Sequence, residues 1–202
     1  MDRLAPDLRR RRTLRLPGWD YAAAGAYFVT IVTHEGWSLF GTVRDGAMTL
    51  SPCGNIVREE WLASAAIRRE IELDTFVVMP NHVHGIVWIV ETGPEGGWSR
   101  TGDPVAATRP GTHRGPPTVR RPRSLGAFVA GFKSAATERI NEIRGVSGSP
   151  VWQRNYYERV IRNDRELAAV QTYIEENPAR WAEDRENPDR ILAWQPHLPR
   201  RP

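Results

Sequence analysis

Cysteine is nearly absent from this chain: Cys53 is the only one in 202 residues. An internal disulfide is thereby excluded, and so is a zinc cage built from thiolates. Lysine is as scarce, with Lys133 alone among 28 basic residues, so the positive charge is carried by arginine. A GC-rich genome enriches arginine without functional meaning, but the planar guanidinium also suits bidentate phosphate contacts and stacking on bases. No run of eighteen apolar residues occurs, which excludes a membrane-spanning helix. Met1 to Arg15 is charged and has no apolar segment of the signal-peptide kind, so a cytoplasmic location is expected.

What is present suffices for one core: 40% of the residues are hydrophobic, and the length is that of a single domain. The pI is about 9.7 although the net charge is only +4. Local clusters carry the basic character, at Arg9 to Arg12 and again at Arg114, Arg120, Arg121 and Arg123. They favour a polyanionic partner, with single-stranded or hairpin nucleic acid among the candidates.

Residues 1–18 read as a basic arm ending at Pro17-Gly18. Tyr27 to Thr33 is rich in β-branched and aromatic residues and predicts a first strand. Asp45-Gly46, between Leu39–Arg44 and Ala47–Leu50, predicts a hairpin with a tight primed turn. A helix follows from Pro52 to Arg69, then strands from Glu72 to Met79 and from Val83 to Val90. Residues 92–123 lose all periodicity and are dominated by Gly, Pro, Thr and Arg, as in a long mobile loop; Arg100 and Arg109 add to its charge. Ser124 to Arg144 repeats apolar residues at helical spacing, and a last helix opens at Asn163, with Glu166 three residues on, and runs to Asn177-Pro178. Residues 183–202 read as a C-terminal tail. The order suggests an α+β fold, a ferredoxin-like or RRM-like sandwich with a central antiparallel sheet and helices packed on it.

The chemistry concentrates at Met79-Pro80-Asn81-His82-Val83-His84. Side chains at i and i+2 of a strand share a face, so His82 and His84 project together. Apolar residues on both faces of the following run mark a central strand, where imidazoles are costly to hide without a partner. A divalent metal is one such partner. On the last helix, Tyr173 and Asn177 are i, i+4 neighbours and offer a phenol and an amide oxygen on one side. Tyr156 and Tyr157 are rival nucleophiles within the aromatic and basic stretch Trp152 to Tyr157. A histidine-triad nucleotide hydrolase would need a third alternate histidine, where this chain has Ile86.

These stretches, together with Gly25-Ala26-Tyr27-Phe28-Val29-Thr30 and Val151 to Glu158, resemble the REP-associated tyrosine transposase group of the single-tyrosine HUH transposases. The resemblance implies a metal-dependent single-strand DNA nuclease and strand transferase acting through a 5′-phosphotyrosine link on hairpin DNA. It maps the nucleophile to Tyr173, the metal ligands to His82, His84 and Asn177, and the cofactor to Mg2+ or Mn2+. Lys133, Arg154, Asn155 and Arg162 are the expected DNA contacts, on a catalytic domain spanning 19–182 in a monomer or homodimer. The alternative function is a domesticated protein that binds hairpin DNA without cutting it.

Overall fold

The computed structural model describes residues 19–90 and 123–193. The basic arm, the arginines of the long loop up to residue 122 and the end of the tail therefore lie outside the described residues.

Gly25–Val32 forms β1, whose alternation sends Tyr27, Val29 and Ile31 to one face and Ala26 and Phe28 to the other. Gly41–Arg44 (β2) and Ala47–Leu50 (β3) pair as a separate hairpin. Its turn residues Asp45 and Gly46 both have positive φ, 51° and 75°, which a primed turn requires. Helix α1 (Pro52–Ala66) starts where the Ser51 side chain accepts the Gly54 N–H at 3.1 Å, with Pro52 in its first turn. Ile71–Val78 (β4) turns through Pro80-Asn81 into His82–Ile89 (β5), with the Met79 N–H donating to the His82 carbonyl at 2.8 Å. Leu125–Ile143 (α2) is capped by Ser124.

A strand the sequence did not announce, Tyr157–Ile161 (β6), precedes α3 (Asp164–Glu176). Asn163 caps α3 by accepting the Glu166 N–H at 2.9 Å. The sheet order is β4-β5-β1-β6 and every neighbouring pair is antiparallel. Leaving the hairpin aside, β1-α1-β4-β5-α2-β6 is the ferredoxin-like order, and the expected α+β sandwich is the fold observed.

The two faces of the sheet are used differently. Helices α1 and α2 cover one, where fully buried Trp61 meets Phe128 and Phe132 edge-on at 5.3 and 5.2 Å. Such aromatic pairs contribute about 0.5–1.5 kcal/mol each beyond area burial. Helix α3 lies on the other face, resting Ile174, Leu167 and Val170 against Ala26, Phe28, Ile86 and Ile161. Leu73 to Phe76 is a bulge in β4, and there Asp74 accepts from Trp88 Nε1 at 3.1 Å and from Gln171 Nε2 at 2.8 Å. A polar tie thus joins the edge strand, the central strand and α3.

Of the segment expected as a C-terminal tail, residues 183–193 are described. Trp181–Glu183 makes a 3-10 turn, Asp184 and Asn187 are buried, and Pro188–Ala193 forms a short helix, α4. The segment docks because the Asn81 amide donates to the Glu186 carbonyl at 2.7 Å. No helix among the described residues is long and apolar enough to cross a membrane.

Candidate active site

His82 and His84 both lie on the α3 face of β5, as their spacing predicts, with ring centroids 4.4 Å apart. Both are buried, at 0% and 3% exposure, so each ring needs polar partners. Their Nδ1 atoms have them: Asn81 Oδ1 lies 2.9 Å from His82 Nδ1, and Thr30 Oγ1 lies 2.9 Å from His84 Nδ1. Thr30 stands there because β1 pairs Thr30 directly with His84. The Asn81 amide nitrogen is committed to two carbonyls, Gly36 at 3.0 Å and Glu186 at 2.7 Å. Its oxygen can only accept, so His82 carries its hydrogen on Nδ1 and presents an Nε2 lone pair.

Both Nε2 atoms face one carboxylate oxygen. Asp184 Oδ2 is 4.0 Å from His82 Nε2 and 3.9 Å from His84 Nε2. These distances exceed a hydrogen bond, yet one ion coordinated at ~2.0–2.2 Å spans them. The three ligand atoms lie within 4.8 Å of one another. Two imidazoles and a carboxylate are a donor set that divalent metals accept. Burial alone would raise the Asp184 carboxyl. The nearby His84 and His82 imidazoles, the Glu186 N–H and the Asn177 amide together hold it well below the usual carboxylate range. Asp184 is therefore an anion ready to ligate.

Tyr173 stands two turns into α3 with its hydroxyl 3.2 Å from His84 Nε2. Its ring lies edge-on to Phe28 at 6.0 Å, and 41% of the residue is exposed, which leaves the phenol reachable from solvent. Burial, then the charges of Asp184 and Glu186, push the phenol up from its ordinary value.

Asn177, the expected oxygen ligand, caps α3 at the edge of this cluster and is 2% exposed. It gives its amide nitrogen to Asp184 Oδ2 at 2.9 Å, while its Oδ1 is buried without a hydrogen-bond partner. The structure thus brings Tyr173, His82, His84 and Asn177 together and adds Asp184, which the sequence reading passed over. Asp184 sits in the polar run Glu183-Asp184-Arg185-Glu186, where no periodicity separates a ligand from a solvated charge. Asn81 joins the cluster as the partner of both the His82 ring and the segment that carries Asp184.

The expected DNA contacts lie elsewhere. Arg154, Asn155 and Arg162 are exposed. The Lys133 ammonium donates to the carbonyls of Gln153 and Asn155 at 2.8 and 3.1 Å, tying α2 to the loop before β6. Of the rival tyrosines, Tyr156 packs with the core under α1 and α2, and Tyr157 joins the α3 face beside Phe28.

No family model matches the chain. An uncharacterized protein of Haemophilus influenzae is 32% identical over 177 residues, covering 88% of this chain and 93% of that one. Among solved structures, a REP-associated tyrosine transposase bound to a REP hairpin is 16% identical. It covers 81% of this chain and 72% of that chain, with a TM-score of 0.51. A structure from Deinococcus radiodurans, also 16% identical, covers 80% of this chain and 95% of that one at a TM-score of 0.41. The chain belongs to one family with the Haemophilus influenzae protein, and its fold is that of the REP-associated tyrosine transposase.

Proposed function

We propose that this protein is a metal-dependent single-strand DNA nuclease and strand transferase of the transposase type, with Tyr173 as its nucleophile and hairpin DNA as its substrate. The observation that carries the reading is the 3.2 Å contact between the Tyr173 hydroxyl and His84 Nε2, at the rim of a buried cluster of two imidazoles and a carboxylate. The donor set fits a divalent cation, and the buried, unpartnered Asn177 Oδ1 adds a further hard oxygen beside it.

Magnesium or manganese held by His82, His84 and Asp184 would withdraw charge from the scissile phosphate and steady the charge that develops during transfer. Tyr173 supplies the nucleophile: its oxygen bonds to phosphorus while the bond to the 3′-oxygen breaks. The phenol gives up its proton, the leaving 3′-oxygen takes one, and the products are a 5′-phosphotyrosine and a free 3′-hydroxyl. The new link is itself a phosphodiester, so a hydroxyl of another strand can reverse the step without ATP. A phenol is protonated at neutral pH in any case, and burial, then the charges of Asp184 and Glu186, raise it further, so losing that proton depends on the substrate and cation being present. The Thr30 and Asn81 contacts hold the two imidazoles in place throughout. A protein of this activity works where DNA is, in the cytoplasm at the nucleoid.

The test is a labelled hairpin oligonucleotide with a single-stranded flank, mixed with the protein and manganese and run on a denaturing gel. An SDS-resistant protein–DNA adduct that needs the metal is the expected result. Hairpin binding with no adduct would overturn the nuclease reading and leave a binding protein in its place.

A further inference from the structure

The Tyr173 ring also borders a second environment, whose lining does not include His84. There α3 and β6 leave a cavity of about 300 Å³. Its floor is Phe28, which Tyr157 and Tyr173 flank edge-on, at 6.2 Å and 67° and at 6.0 Å and 83°. Val170 and Ala169 of α3 extend the apolar lining, and Arg159 and Glu166 supply its polar side. Those two are ion-paired at 3.3 Å, but the Arg159 side chain is 52% exposed, so the pair is weak and open to exchange.

We propose that this cavity is a nucleobase subsite: it takes one unstacked base of the single strand, next to the phosphate that Tyr173 attacks. The inference rests on the proposed function and names where that substrate's sequence is read. Three features select the occupant. The volume is at the small end of ligand pockets, which suits one ring system and excludes a duplex. The two tyrosine rings offer π faces and edges to a base, the usual platform for single-stranded nucleic acid. Arg159 and Glu166 place a donor fork beside an acceptor, and every base edge carries both complements; arginine pairs with guanine O6 and N7, and a carboxylate accepts from exocyclic amines. Position supplies the link to catalysis. The hydroxyl and the ring belong to one side chain, so a phosphate at the hydroxyl delivers its neighbouring base to the ring.

The experiment is an abasic scan. Anisotropy is measured on labelled hairpin oligonucleotides, each with one abasic position in the flank, in EDTA so that nothing is cleaved. Loss of the base at one flank position is expected to weaken binding about tenfold. Ala169→Phe, at an exposed position of α3 that lines the cavity, is expected to weaken binding of the intact oligonucleotide by the same factor. It should leave the abasic one unchanged, because the cavity is then already blocked. Arg159→Ala should flatten the preference among the four bases at that position while the fold, read by circular dichroism, is kept. The proposal is overturned if every abasic position is tolerated, or if Ala169→Phe weakens intact and abasic DNA alike. Wild-type adduct formation without this coupling removes the subsite alone. Coupling without any adduct removes the chemistry and leaves the subsite standing.

Discussion

Asn81 accepts the Nδ1 hydrogen of His82 across 2.9 Å. The same side chain holds the Glu186 carbonyl, two residues beyond Asp184, at 2.7 Å. One amide thus orients the first ligand of the cluster and anchors the segment that carries the third. Removing such a partner from a metal-bound histidine costs about 10–100-fold in metal affinity. Asn81→Ala should therefore weaken Mn2+ binding by about that factor, measured by calorimetry or by the EPR signal of free manganese. Asn81→Asp keeps the acceptor and loses the donors, so it should fall between the two. Unchanged manganese affinity in Asn81→Ala would show that neither contact matters to the ligands.

Asp184 and Asn177 compete for the place of third ligand, and their contacts make different forecasts. Asp184 Oδ2 faces both Nε2 atoms, whereas Asn177 reaches the cluster by donating to that carboxylate. Asp184→Asn removes the charge and should abolish detectable manganese binding at micromolar metal. Asn177→Ala should weaken it by a smaller factor, about tenfold. The reverse ranking in the same titration would return the third position to Asn177.

Much of this site could be read from sequence because its signals are local. The His82–His84 alternation, the Asp45-Gly46 turn and the helix start at Asn163 each depend on a few adjacent residues. The β6 strand was missed because it is an edge strand of five residues that includes Glu158 and Arg159, which dilute an apolar pattern. Asp184 was missed for another reason. Its burial is created by partners a hundred residues upstream, His82 and His84, and by the Asn81 clamp on Glu186; nothing within its own segment signals it.

Gly85 lies between the histidine pair and the apolar half of β5, facing α1. A Cβ there would sit 2.5 Å from Trp61 Cζ2 and 3.2 Å from Phe76 Cβ. Trp61 is fully buried and cannot retreat without disturbing Phe128 and Phe132. Gly85→Ala should cost about 1–3 kcal/mol of stability in urea unfolding. Manganese affinity should fall with it, since strain in β5 is passed directly to His84. A variant as stable as wild type would mean that Trp61 has room to move.

Asp74 ties α3 to the sheet, and its pH dependence is readable. Burial would raise its carboxyl, but hydrogen bonds from Gln171, the Thr75 N–H, Trp88 and the Thr75 hydroxyl lower it below its ordinary value. A lowered folded value adds stability above the unfolded pKa of ~3.9, lost as pH falls through the folded value. Asp74→Asn should thus cost about 1–2 kcal/mol at pH 7, a modest figure for hydrogen bonds to a half-exposed charge. The gap between the two proteins should close below about pH 4. A gap that stays constant from pH 7 to pH 3 would show that the charge is not what holds the tie.

Tyr173 bears the heaviest chemical assignment, and its surroundings allow a clean substitution. The ring packs edge-on against Phe28 and beside His84, while only the hydroxyl reaches Nε2. Tyr173→Phe keeps the ring, so thermal stability and hairpin affinity should stay within about twofold of wild type while the covalent adduct disappears. Tyr157→Phe likewise keeps its ring beside Phe28, and Tyr156 belongs to the core on the other face of the sheet, so both Phe variants should still form adduct. Adduct formation by the Tyr173→Phe protein, with loss in either of the others, would move the nucleophile to that residue. The structure argues against such a move at Tyr156, because that side chain packs against the core on the face of the sheet opposite the one Tyr157 shares with the histidines. It argues less strongly at Tyr157, which borders the same cavity as Tyr173, so the Tyr157→Phe lane of the adduct gel is the one that decides between them.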